Sequence, residues 1–167
     1  MSDATGSSDA ALAAKADAVL AACRAGGLKV ATAESCTGGM VAAALTDIAG
    51  SSNVVERGFV TYSNAAKMEL LGVPAQMILA HGAVSPEVAE AMALGALAHA
   101  PVDLAVSITG IAGPDGATPT KPVGLVFLGI ARRHGICRTE RHVFAGDRAA
   151  IRHAAALRAL ELLAAEA

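Results

Sequence analysis

A chain of 167 residues with 54% hydrophobic residues is sized for one domain with a real core. A net charge of −2 and an aromatic fraction of 2% argue against a nucleic-acid groove, a base-stacking platform or attraction to an anionic membrane. The three cysteines, Cys23, Cys36 and Cys137, lack CxxC spacing, so a disulfide framework or a cysteine zinc site is not expected, and no apolar run reaches the ~20 residues of a membrane span.

Residues 1–8 are small and polar and read as a disordered arm, not as a secretory leader. A cytoplasmic protein is expected, with one domain over residues 9–167. A helix is predicted over residues 9–24, because Leu12, Ala16, Leu20 and Cys23 share a face and Gly26-Gly27 end it. Residues 28–31 read as a short strand. The polar run of residues 32–39, TAESCTGG, follows as a turn and leads into an alanine-rich helix to about Asp47. Free N–H groups at such a helix start suit an anion, so the turn is a candidate phosphate or carboxylate holder, or simply a capping turn. Cys36 there is either a nucleophile with a lowered pKa or a buried structural thiol.

Gly50-Ser51-Ser52-Asn53 reads as a loop, residues 54–61 as a strand and residues 64–71 as a helix stopped by Gly72 and Pro74. Tyr62 is the only tyrosine, and Lys67 is either a solvated helix residue or a base with a depressed pKa. A helix starts at Ser85-Pro86, with serine as N-cap and proline at the first position, and runs to about His99. Residues 104–108 form an apolar strand, and Gly110 to Pro122 is a loop of the kind that carries specificity. Residues 123–131 read as a central strand and residues 136–144 as an edge strand, joined by the short Arg133-His134-Gly135 connection. Asp147 caps a last helix, with Arg148 just inside it as a candidate for holding a phosphate or carboxylate. The histidines show no metal spacing.

Strands alternating with helices predict a three-layer α/β/α sandwich with a mixed, mostly parallel sheet. In such sheets ligands gather where strands end and helices begin. Four polar clusters fall there: Glu34 to Thr37, Ser51-Ser52, Tyr62 to Lys67, and Thr109 to Lys121.

The runs TAESCTGG at 32–39, Gly50-Ser51-Ser52, ERGFVTYSN at 56–64 with Lys67, HGAVS at 81–85, SITGIAGPDG at 107–116 and KPVG at 121–124 are collinear. Together they resemble the C-terminal domain of the competence/damage-inducible protein CinA, and within it the stand-alone nicotinamide-nucleotide amidohydrolases. The resemblance spans about residues 10–165. It implies hydrolysis of nicotinamide mononucleotide to nicotinate mononucleotide and ammonia, in pyridine nucleotide salvage. Carried over by position, it implies Ser52 as nucleophile and Lys67 as base, with Tyr62 and Ser35 assisting. It places Cys36, Thr37, Gly38, Gly39, Thr109, Gly110 and Arg148 around the substrate, and it requires no cofactor or metal. A small-molecule substrate and a homo-oligomer are the expected partners, with no nucleic acid or membrane. The alternative is a pyridine-nucleotide-binding module without turnover.

Overall fold

The computed structural model describes residues 3–167. β1 (Val30–Glu34), β2 (Val55–Val60), β3 (Leu104–Gly110), β4 (Leu125–Arg132) and β5 (Cys137–Val143) form one sheet in the order β2-β1-β3-β4-β5. β1 runs parallel to both neighbours, with Val30 opposite Val55 and Leu104. β4 is antiparallel to β3 and β5, so it alone opposes the common strand direction. The β4–β5 hairpin closes through Gly135 N–H to Arg132 O at 3.0 Å.

Side-chain size differs between the two faces. Val30, Leu104, Val106, Ile108, Val126, Leu128 and Ile130 pack against α1 (Asp3–Gly26), α2 (Met40–Thr46) and α6 (Arg148–Glu166). The other face carries small residues, Ala31, Ala33, Ala105 and Ala131. α5 (Pro86–His99) therefore lies close to the sheet, with α3 (Asn64–Leu71) and α4 (Ala75–His81) beside it. Alternation along each strand divides these sets. The layers are those of an α/β/α sandwich.

Local signals place most helix starts. Ser85 Oγ accepts from Val88 N–H at 3.3 Å, and an Asp147 carboxylate oxygen accepts from Ala150 N–H at 2.9 Å. Beyond shifts of one or two residues at other strand ends, three features differ from expectation. α1 opens at Asp3, so it takes in residues 3–8 of the expected arm; Met1 and Ser2 lie outside the described residues. β1 begins later and runs on through Thr32 and Glu34, both buried. α4 was not expected: Pro74, read as a stop, is also its N-cap, a place where proline loses no helix hydrogen bond. No helix among the described residues is long and apolar enough to cross a membrane.

Candidate active site

The site forms at the carboxyl end of β1, where backbone alternation separates two neighbours. Thr61 N–H donates to Glu34 O at 2.8 Å and Ser35 N–H donates to Ile108 O at 2.9 Å, so the ladder continues into the turn. Glu34, with no exposed surface, turns its carboxylate to α2. Its Oε2 accepts from the N–H groups of Gly39 and Val41, each at 3.1 Å, and its Oε1 from Ala42 N–H at 2.9 Å. These are donors that a helix start leaves unpaired. The anion at this turn is therefore built into the chain, and the turn is not an open phosphate cradle. Gly38 and Gly39, at φ 62° and 99°, allow the reversal between strand and helix. From α6, Arg152 donates through Nε to Cys36 O and through Nη2 to Thr37 O, both at 3.0 Å.

Ser35 faces the opposite side of the sheet. There Lys67 Nζ lies 2.9 Å from Ser35 Oγ and donates to Thr61 O at 2.8 Å. α3 starts directly after β2, with Ser63 Oγ accepting from Ala66 N–H at 3.0 Å, and this start brings Lys67 back over the strand end. Lys67 is 1% exposed, and burial pulls its pKa below the ordinary lysine value, against a smaller opposing pull from Cys36. That pull needs the Cys36 thiolate. Burial pushes the Cys36 thiol itself up to about 11, so it stays protonated near neutral pH. A buried, weakly basic amine touching a hydroxyl is poised to take its proton.

The mouth of the cleft is polar. Arg148 donates from Nη2 to Tyr62 Oη at 2.9 Å and from Nη1 to Gly113 O at 2.8 Å. Thr109 Oγ1 donates to Ala83 O at 2.8 Å. Ser35, Lys67, Tyr62, Thr109 and Arg148 line a cleft of about 260 Å³, closed on one side by the loop from Gly110 to Gly116. A larger hollow of about 640 Å³ lies beyond the end of α5. There Arg133 donates to the carbonyls of Leu97, Ala100 and Val102, so it serves to cap the helix.

The CinA C-terminal domain model matches residues 12–167. The chain belongs to the CinA C-terminal domain family.

It is 54% identical over 142 residues to the nicotinamide-nucleotide amidohydrolase PncC of Escherichia coli K12, covering 85% of this chain and 86% of that protein. It is 56% identical over 140 residues to a CinA-like protein of Citrifermentans bemidjiense, covering 84% of this chain. It spans only 34% of the length of that relative. The crystal structure of the competence/damage inducible protein CihA from Agrobacterium tumefaciens superposes with a TM-score of 0.91 at 46% identity, covering 93% of this chain and 94% of that one.

Within this CinA-type fold, Ser35, Cys36, Tyr62, Lys67, Thr109, Gly110 and Arg148 line one cleft. Thr37, Gly38 and Gly39 do not line it; they shape the turn behind Ser35. Ser52 does not join either. It is exposed on the 3-10 turn Ser51–Asn53, which precedes β2, and its carbonyl accepts from Lys29 Nζ at 3.5 Å. β1 and β2 are parallel, so that turn lies at the opposite end of the sheet from Lys67, roughly 15 Å away at 3.3 Å per strand residue. Its assignment rested on carrying the family's pattern over by position, and no local feature of the Gly50-Ser51-Ser52 loop pointed to it. Asn64 and Asp115 also line the cleft and had no assigned role. Their signal was position, one opening a helix at a strand end and the other in the loop after β3.

Proposed function

We propose that this chain hydrolyses the carboxamide of nicotinamide mononucleotide, with Ser35 as nucleophile and Lys67 as its base. The observation that carries the reading is the buried 2.9 Å contact between Lys67 Nζ and Ser35 Oγ inside a cleft. The substrate is that named for the PncC relatives.

Neutral Lys67 takes the Ser35 proton as Oγ attacks the carboxamide carbon. The tetrahedral intermediate expels ammonia, and the proton held by Lys67 goes to the departing nitrogen. This leaves an ester on Ser35. Water, deprotonated by Lys67, attacks the ester carbon. Ser35 Oγ leaves and takes the proton back, freeing the nicotinate nucleotide. Base assistance of this kind is worth ~10²–10⁴-fold. Arg148 at the mouth suits the substrate phosphate, because a guanidinium matches its oxygens in pairs. Tyr62 Oη holds that guanidinium in place.

Cys36 is a weaker nucleophile here, since burial keeps its thiol protonated. Ammonia release from nicotinamide mononucleotide by the purified protein tests the reading. Turnover is expected from the natural chain and not from Ser35→Ala. Tight binding without ammonia from the natural chain would assign a binding module instead.

A further inference from the structure

The turn that presents Ser35 is held from two sides by charges that do not touch the cleft. On one side the Glu34 carboxylate takes three backbone N–H groups, those of Gly39, Val41 and Ala42. On the other, the Arg152 guanidinium donates to the carbonyls of Cys36 and Thr37. Neither side chain lines the cleft. Both lie on the α2 and α6 side of the sheet, while Ser35 Oγ faces Lys67 on the α3 side.

We infer that Glu34 and Arg152 are positioning residues, which grip the turn by its donors and by its acceptors and so hold the Ser35 hydroxyl on Lys67. The inference rests on the assignment of Ser35 as nucleophile. The geometry makes the two grips complementary. Glu34 is the residue before Ser35 and fixes where the turn must end, at the start of α2. Arg152 fixes the two carbonyls that immediately follow Ser35. With both in place, the backbone on each side of Ser35 is tied to a helix, and the serine has little freedom to leave the amine. Charge-assisted bonds of this kind are the stronger ones available to a backbone. A second consequence concerns the substrate. Because the carboxylate already occupies the start of α2, the substrate phosphate is left to the Arg148 end of the cleft.

The test compares Glu34→Gln, Arg152→Gln and Ser35→Ala with the natural chain. Two readouts are taken: kcat and KM for ammonia release from nicotinamide mononucleotide, and the rate and final extent of Ser35 modification by a fluorophosphonate, followed by intact mass. The expected result for both Gln variants is a kcat loss on the order of 10–100-fold, since misplacement by about 1 Å has that effect. Their KM stays within about threefold, and modification is slow yet reaches full extent. A purely structural role predicts the opposite split, with reduced extent and a normal rate constant, and that outcome overturns the inference. Loss confined to KM overturns it as well, by assigning the turn to substrate binding. Arg152 is only half-buried on α6, so Arg152→Gln decides the case if Glu34→Gln folds in part. Turnover by Ser35→Ala removes the nucleophile assignment and the inference with it. Natural rates in both Gln variants beside an inactive Ser35→Ala remove the inference alone.

Discussion

The contact between Lys67 and Ser35 combines short distance with exclusion of water. Lys67 has three neighbours for its amine, Ser35 Oγ, Thr61 O and, at 3.4 Å, Tyr62 O. Two of these are carbonyls, which only accept. The hydroxyl is the one partner that can both donate and accept, so it alone can exchange a proton with the amine. Ser52 sits in water at the far end of β1, beside Lys29. The two sites therefore differ sharply in expected sensitivity. Lys67→Ala is expected to lower kcat for ammonia release by ~10²–10⁴-fold, the usual worth of a general base. Ser52→Ala is expected to stay within about a factor of two, as exposed substitutions do. Steady-state assays of the two variants side by side check this. A rate collapse in Ser52→Ala would restore the nucleophile read from sequence and displace Ser35.

Helix packing decides where Lys67 can reach. α5 lies so close to its neighbours that a Cβ at Gly95 would come 2.1 Å from Leu71 O, the last residue of α3. On the sheet side a Cβ at Gly129 would come 2.6 Å from Ala89 O. The alanines on this face of β1 and β3 serve the same approach. Because Leu71 and Lys67 ride on one short helix, pushing its end displaces the base. Gly95→Ala is expected to destabilise the fold by about 1–3 kcal/mol, the range for overpacking, and to lower kcat as well. Urea unfolding and ammonia release measure the two effects; stability loss at unchanged kcat would uncouple them. Much of this architecture was legible from local pattern. The caps at Ser85 and Asp147, the hairpin and the central apolar strands depend on residues near each other in the chain. Glu34 was not legible in its real role. A charged residue beside serine and threonine looks like a turn, and only the donors of α2 make it tolerable inside a strand with no exposed surface. The orientation of Ser35 was hidden for a related reason. Strand alternation through Glu34 would have put Ser35 on the opposite face, toward the helix that carries Lys67, had the strand been extended that far.

For the whole molecule, a lysine that is 1% exposed is a stability liability retained at the site of chemistry. Its sign with pH can be worked out. In the unfolded chain Lys67 titrates at its ordinary value, about 10.5, and in the folded chain burial holds it lower. Below the folded pKa both states carry the proton, and the full penalty of burying the charge applies. Between the two values the unfolded chain binds a proton that the folded chain has released. Stability contributed through this residue then rises with pH, by at most about 1.4 kcal/mol per unit, and levels off above the unfolded value. Lys67→Met keeps a similar volume and has no such proton. The unfolding free energy of the natural chain minus that of Lys67→Met is therefore expected to increase as pH is raised from 7 toward 10. Titrating groups away from Lys67 are common to both chains and cancel in the difference, and Cys36, which interacts with Lys67, is pushed up to about 11 and stays largely protonated over this range. Urea titrations of both proteins at several pH values give this quantity directly. A difference that stays flat would mean that Lys67 keeps its ordinary pKa. One that falls would mean that the fold holds its proton more tightly, and in either case the amine could not serve as a neutral base near pH 7. The increase and the loss of turnover in Lys67→Met have one origin: the dry environment that weakens the fold is the one that frees the amine to act.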